Sequence, residues 1–132
     1  MKVPSWEDVR TLLTHDGESR VSLSLPTHRG GRETEQDRIR LKNLVRRAED
    51  ELGRLGLRGP EAGAVLAPAY RVLDDAGFWR ERQDGLALFL APDWSMIVRT
   101  PVALEESIVT GGRFRIRPLL PALWPELRFG IL

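Results

Sequence analysis

Cysteine is absent from the 132-residue sequence, and histidine occurs only twice. Without cysteine there is no disulfide, no catalytic thiolate and no cysteine metal site, a composition that suits a reducing compartment. The two histidines, His15 and His28, are far apart and lack the HExxH-type spacing of a zinc site. We therefore expect neither a metal nor a cofactor.

Long apolar runs and a marked charge imbalance are missing as well. No apolar run approaches the roughly 18 residues that a membrane helix requires, and the N-terminal sequence MKVPSWEDVR lacks the apolar core of a signal peptide. The formal net charge is +1, so any contact with nucleic acid must come from a local basic patch. These absences predict a cytoplasmic protein that makes no membrane contact.

The length and the hydrophobic pattern predict one α/β (α+β) domain. Ser5 is the expected N-cap of a short helix, and Pro60 opens a later helix that Pro68 should kink or split. Phe78 and Trp79 are expected to anchor the core. We expect a small, mostly antiparallel sheet of about four to five strands, packed by three to four helices.

The strands of the second half follow from apolar runs and turn signals. Residues 86–90 are continuously apolar, which is typical of a central strand, and residues 95–100 return beside it. Residues 107–110 and 113–117 flank a Gly-Gly pair at 111–112, which predicts a hairpin. The arginines of the last segment share one face, which indicates either a charged edge strand or an anion-facing strip.

The stretch from residue 21 to 52, VSLSLPTHRGGRETEQDRIRLKNLVRRAEDEL, organises the chain. Its alternating Val21, Leu23 and Leu25 predict a strand with one buried face. A glycine-containing loop follows, and a long amphipathic helix begins near Thr34. The residues expected to form the buried stripe of this helix are Leu41, Leu44, Val45, Ala48, Leu52 and Leu55.

Basic residues outnumber acidic ones in this loop and in the first turns of the helix. Such an excess can meet phosphates, and an ordinary exposed surface is the equal alternative. Arg46 and Arg47 each have an acid four residues on, so we expect them to pair with Asp50 and Glu51 on a solvated face. The candidate RNA-binding residues are Arg29, Arg32, Arg38, Arg40 and Lys42.

The same loop holds a second candidate site, formed by Thr27, His28, Gly30 and Gly31. Thr27 and His28 permit a hydroxyl–base pair, with a polar surface histidine as the alternative. A Gly-Gly pair between a strand and a helix is typical of phosphate-binding loops, but neither GxGxxG nor GxxxxGK[ST] is present. We therefore assign no catalytic residue.

Prolines mark the segment from Pro118 to Pro125, and we expect the domain boundary there. Residues 1–121 would form the domain, and residues 122–132 a linker with the start of a new strand, Leu127–Leu132. A terminal strand without a neighbour predicts either a fragment of a longer protein or pairing with another chain, as in a homodimer.

Four segments resemble one protein family. VSLSLPTHRGG, DRIRLKNLVRRAEDEL, FWRERQDGLALFLAP and RFRIRPLLPAL are similar to the N-terminal domain of bacterial members of the archaeo-eukaryotic peptide-chain release factor family. The resemblance covers roughly residues 4 to 121. It implies an α/β domain at the ribosomal decoding site, acting in termination, rescue or dormancy, ahead of a middle domain that carries the hydrolytic Gly-Gly-Gln motif.

The chain also departs from that family. Gly31 is followed by Arg32, and Gly112 by Arg113, so neither glycine pair is the hydrolytic motif. The Asn-Ile-Lys-Ser and Tyr-x-Cys motifs with which eukaryotic members read stop codons are absent as well. The leading hypothesis is therefore a non-catalytic domain that binds ribosomal RNA or a ribosome complex. A protein-interaction or oligomerisation module is the first alternative, and a small hydrolase that uses His28 is the second.

Overall fold

The computed structural model describes residues 4–28, 33–81 and 83–123. These residues form four α-helices, one 3-10 helix with helical residues 120–123 after it, and a four-stranded antiparallel sheet, which confirms the predicted small α/β domain. In chain order the elements are α1 (Trp6–Thr14), β1 (Asp16–Pro26), α2 (Glu33–Arg54), α3 (Pro60–Leu73), α4 (Ala76–Arg80), β2 (Gly85–Ala91), β3 (Trp94–Thr100), β4 (Ser107–Arg113) and the 3-10 helix (Arg117–Leu119).

The strands of the sheet lie in the order β3-β2-β1-β4, and all neighbours are antiparallel. β1 is paired on both sides, because Leu23 lies opposite Leu88 of β2 and opposite Ile108 of β4. The register with β4 shifts between Asp16 and Arg20, which marks an irregularity near the start of β1. β1 and β2 are therefore the interior strands, as expected for the apolar run in β2.

Both faces of the sheet are covered, which explains why every residue of β2 is buried. The leucines of β2 belong to a cluster with α2 and α3. Ala87 and Phe89 belong to a second cluster on the opposite face, with Leu12 of α1 and Phe114. Burial of one such leucine or phenylalanine stabilises the fold by about 1.5–3 kcal/mol. The α2 residues that are buried as predicted are Leu41, Leu44, Val45, Ala48 and Leu52.

Ser22 and Ser24 of β1 are buried on the face opposite α2, and both form hydrogen bonds. The Ser24 hydroxyl donates to the carbonyl oxygen of Glu105 at 2.7 Å. The Ser22 hydroxyl accepts from the backbone N–H of Arg115 at 2.9 Å. These bonds attach the segments before and after β4 to the centre of the sheet, and they satisfy hydroxyls that would be costly to bury unpaired.

The predicted helix starts are confirmed. Ser5 caps α1, since its hydroxyl accepts from the N–H of Asp8 at 3.2 Å while the Asp8 carboxylate accepts from the N–H of Ser5 at 2.9 Å. This reciprocal pair is a capping box. Pro60 occupies the first turn of α3, where its missing N–H leaves no helical bond unmade.

The predicted hairpin at 111–112 is wrong. Residues 107–113 form one strand, and the Gly-Gly pair lies inside it, with Gly111 opposite Arg20 of β1. After Arg113 the chain turns under the sheet, because Phe114 is buried in the second cluster and residue 115 bonds to β1. Pairing with β1 and burial of Phe114 therefore override the local turn signal.

Two expectations about the helices are also corrected. Pro68 does not split α3, which continues from Pro60 to Leu73 with Val65, Leu66 and Ala69 buried. Packing of this apolar side holds the helix together across the proline. Leu55 is 58% exposed because α2 ends at Arg54, and Leu57 packs against the core instead.

The predicted terminal strand, Leu127–Leu132, lies outside the described residues, so the dimer expectation and the boundary at residue 121 stay predictions. The last described residue, Leu123, is buried. Across the three described ranges, no helix combines the length and the apolar character needed to cross a membrane.

Candidate nucleic-acid interface

Between residues 38 and 47, the solvent-facing side of α2 carries cations and no acid. From residue 38 to residue 47 the sequence RIRLKNLVRR contains five basic residues and no acidic one. Within this run, the core contains Leu41, Leu44 and Val45. Because of the helical periodicity, the polar side chains between them face solvent. The exposed cations of this run, which we call the basic face, are Arg38, Lys42, Arg46 and Arg47.

Arg38, Lys42 and Arg46 form a row on the basic face. Residues four apart are neighbours on a helix surface, and the row is about 12 Å long at a rise of about 1.5 Å per residue. The row lies on the side of α2 next to α3, because the Nε of Arg38 donates to the carbonyl oxygen of Leu73 at 2.8 Å. This bond fixes the Arg38 side chain while its terminal nitrogens form no hydrogen bond within the described residues.

The expected pairing of Arg46 and Arg47 with acids four residues on is wrong. Neither arginine forms an ion pair within 4 Å in residues 4–28, 33–81 and 83–123. The basic-first order is the weaker arrangement for such pairs. Glu51 is oriented elsewhere, since it accepts a hydrogen bond from the Thr110 hydroxyl at 3.3 Å. Both arginines therefore remain available to an external anion.

Arg40, another candidate RNA-binding residue, lies on the other flank of α2 and has acidic partners. Its Nη1 lies 3.3 Å from Asp37 Oδ1, and its Nε lies 3.3 Å from Glu106 Oε1. Two carboxylates offset its charge, so Arg40 contributes less to an anion-binding surface than the basic face does. Arg29 and Arg32 lie outside the described residues, and their candidacy stays a prediction.

The structure brings His28 together with Asp37, a pair that the sequence analysis did not foresee. The Asp37 carboxylate accepts from the backbone N–H of His28 at 2.6 Å and lies 2.7 Å from its Nδ1. Because an ionised carboxylate only accepts, Nδ1 carries the proton. The sequence contains a signal for this pair. Asp37 precedes Leu41 by four residues and Leu44 by seven, so an acid occupies the buried stripe of α2, where it needs a partner.

The neighbouring hydroxyl does not complete a nucleophile–base pair. Thr27 donates its hydroxyl hydrogen bond to the carbonyl oxygen of Gln83 at 2.7 Å. The cavity that Thr27 and His28 line has a volume of about 20 Å³, which is space for a water and not for a substrate. Gly30 and Gly31, the remaining members of the candidate loop site, lie outside the described residues. The geometry of the described part therefore gives no support to a hydrolase.

Arg99 closes the far wall of this cavity and is nearly buried. It pairs with the carboxylate of Glu81 and donates to the carbonyl oxygen of Phe78 at 2.7 Å, with its guanidinium carbon 4.0 Å from the Phe78 ring centre. Burial lowers the pKa of the Arg99 guanidinium, and the charges of Glu81 and Asp75 oppose that shift. The charge and the donor groups of Arg99 are thus bound within the protein. Arg99 therefore stabilises the fold and is poorly available to a ligand.

Tyr70 borders the basic face from α3. Its side chain is 40% exposed, and its hydroxyl donates to Glu49 of α2 at 2.8 Å. Partial burial, followed by the bond to Glu49, raises the pKa of Tyr70 to about 12, while the nearby charge of Arg46 acts in the opposite direction. The phenol is therefore neutral and fixed at the edge of the basic face.

Comparison of the chain with protein-family models and with curated proteins found no match. Among the described residues, no cluster of three or more histidine, aspartate or glutamate side chains is placed to hold a metal ion. The surface of α2 and α3 is therefore the candidate functional site.

Proposed function

We propose that this chain is a non-catalytic, release-factor-like domain that binds ribosomal RNA through the basic face of α2. The groups bound are phosphates of the RNA backbone. The resemblance to release-factor N-terminal domains supports a role on the ribosome, in termination, rescue or dormancy. Arg29 and Arg32, which precede α2 in the sequence, are further candidates for the proposed contact.

The observation that carries the proposal is the acid-free run of α2. Exposed surfaces of a nearly neutral protein usually mix charges, and the overall charge here is only +1. The four exposed cations of the basic face are nevertheless contiguous, and two of the neighbouring acids, Asp37 and Glu49, have other partners. Asp37 is bound to His28 and Arg40, and Glu49 accepts from Tyr70. The local field therefore favours a polyanion.

Arg38 gives this surface a positioned donor group. Its Nε is bound to Leu73 at the C-terminal end of α3, where carbonyl groups lack helical partners. A guanidinium held in this way loses less side-chain freedom when it binds a phosphate. Lys42 and Arg46, one and two turns further on, would contact successive phosphates of a strand that follows the helix.

The test is co-sedimentation of the purified chain with ribosomes over a salt series. The variant Lys42→Gln/Arg46→Gln/Arg47→Gln removes three exposed charges of the basic face while leaving the core stripe of α2 intact. At low salt, we expect this variant to bind ribosomes much more weakly than the wild type does. The slope of log affinity against log salt should become shallower by about 2, since each lost phosphate contact removes roughly 0.7–0.9.

The matched control removes the same number of charges elsewhere. Arg10, Arg80 and Arg113 are exposed on α1, α4 and β4, so Arg10→Gln/Arg80→Gln/Arg113→Gln changes the net charge equally. We expect the control to retain wild-type binding. An equal loss of binding in both variants would show that the interaction depends on net charge alone. Absence of binding by the folded wild-type chain at low salt would overturn the proposal, and circular dichroism checks the fold of each variant.

A further inference from the structure

Tyr70 is a partly exposed aromatic residue with a cation, Arg46, nearby on α2. It lies on α3, where residues 65, 66 and 69 are buried, and its own side chain is 40% exposed at the α2–α3 boundary. A tyrosine that only filled space in the core would not need to be exposed in this way. The hydroxyl bond to Glu49 at 2.8 Å joins the ring to α2, so its orientation is fixed relative to the basic face.

The cation of α2 whose charge acts on this ring is Arg46. The charge of Arg46 acts on the phenol, and Lys42 precedes Arg46 by one helical turn. Glu49 is the acid closest to the ring, and its carboxylate accepts the Tyr70 hydroxyl. The arrangement is a partly exposed aromatic ring with Arg46 nearby and Lys42 one helical turn further along α2. Proteins that bind single-stranded nucleic acid combine stacking with phosphate contacts in this way.

We propose that the RNA bound by this domain is single-stranded, with an unpaired base stacked on Tyr70 and the adjacent phosphates on Lys42 and Arg46. The inference rests on the proposed function and specifies its substrate class. In a duplex the base faces are stacked within the helix and cannot reach a tyrosine, so a paired segment gains only from the cations. An unpaired segment gains from both.

The test compares three ligands by fluorescence anisotropy. They are a mixed-sequence RNA of about 12 nucleotides, within the usual site size for such proteins, an abasic oligomer of equal length, and a duplex of the same RNA. The abasic oligomer keeps the phosphates and lacks the bases. We expect the wild-type chain to bind the single strand about tenfold more tightly than the abasic oligomer, which is the contribution of one stacked base.

Two variants isolate the ring. Tyr70→Phe keeps the aromatic face and releases Glu49, and Tyr70→Leu releases Glu49 in the same way but removes the aromatic face. We expect Tyr70→Phe to prefer the single strand as the wild type does. Tyr70→Leu should bind the single strand and the abasic oligomer with the same affinity. The thermal midpoint of each variant checks that α3 still packs on α2.

The outcomes separate this inference from the function on which it rests. Salt-sensitive binding of all three ligands with similar affinity, unchanged in Tyr70→Leu, would overturn the stacking inference and leave the phosphate-binding function standing. Equal loss in Tyr70→Phe and Tyr70→Leu would assign the effect to Glu49 and also overturn it. Failure of the folded wild type to bind any of the ligands or ribosomes would overturn both.

Discussion

Asp37 binds His28 twice, through the backbone N–H and through Nδ1 of the imidazole. The carboxylate lies in the buried stripe of α2, and the histidine is the last described residue before the loop. The pair therefore joins the end of the β1 segment to the first turns of the helix that carries the basic face. Charged hydrogen bonds of this kind contribute about 1.5–3 kcal/mol when desolvated.

Replacing Asp37 with asparagine should destabilise the domain. Asparagine offers one acceptor where the carboxylate offers two, and its amide group would face donors of His28 and Arg40. We expect Asp37→Asn to lower the free energy of unfolding by about 1–3 kcal/mol, measured by urea denaturation. Asp50→Asn, the same substitution at an exposed position of α2, should change it by less than about 0.5 kcal/mol. Equal effects would contradict a structural role for the pair.

Gly85, the first residue of β2, has no room for a side chain. A Cβ there would lie 2.5 Å from the carbonyl oxygen of Val102 and 2.6 Å from Leu104, and it would overlap the Thr100 hydroxyl. We expect Gly85→Ala to destabilise the domain by about 1–3 kcal/mol, because backbone and buried side chains must shift. The measurement is the midpoint of chemical denaturation.

Gly63 provides the opposite case for the same substitution. It lies within α3, and a Cβ at this position would meet nothing within 4 Å. Gly63→Ala should therefore stabilise the domain by roughly 0.5–1 kcal/mol through helix propensity. A destabilised Gly63→Ala, or a neutral Gly85→Ala, would show that the packing around these glycines differs from that described.

The cap of α1 should matter for the second core cluster, since α1 contributes Leu12 to it. Ser5→Ala removes the acceptor for the N–H of Asp8, and we expect a loss of about 1 kcal/mol in the free energy of unfolding. Ser5→Gly should cost only a few tenths of a kcal/mol relative to wild type. If alanine and glycine behaved alike and neither cost stability, the capping box would not contribute.

The elements that sequence predicts well here are those whose signal is local. The apolar run of β2, the alternation of Val21, Leu23 and Leu25, and the reciprocal pair of Ser5 and Asp8 each follow from residues close in the chain. For the two strands the same short pattern also decides the burial. Such local patterns are sufficient to predict the α/β architecture.

The features that the sequence does not predict correctly depend on contacts between different parts of the chain. The Gly-Gly pair at 111–112 predicts a turn, but pairing with β1, some ninety residues earlier, makes it part of a strand. Asp37 lies near the start of α2, and its partner His28, nine residues earlier, becomes evident only from the contact between the two side chains. Helical spacing places Tyr70 on the side of the buried Leu66 and Leu73, yet it is 40% exposed, and its hydroxyl bonds to Glu49 on α2.

Titration of Tyr70 gives the most direct test of the geometry next to the basic face. It is the only tyrosine of the chain, so the ultraviolet absorbance of tyrosinate reports this residue alone. Partial burial and then the bond to Glu49 raise its pKa to about 12, above the roughly 10 of a free tyrosine. A raised pKa means that the folded state favours the neutral phenol. Its contribution to stability is complete below pH 10 or so and is lost as the pH rises through about 12.

We therefore expect a spectrophotometric midpoint near pH 12 in the folded chain, provided that circular dichroism shows the fold intact over the titration. Glu49→Gln removes the nearby negative charge and should move the midpoint toward the free value, whereas Glu61→Gln, an exposed position on α3, should leave it unchanged. Arg46→Gln should raise the midpoint further, because the charge of Arg46 favours tyrosinate. A midpoint near 10 that is insensitive to Glu49 and Arg46 would mean that Tyr70 does not border the basic face, and the stacking surface would lose its aromatic member.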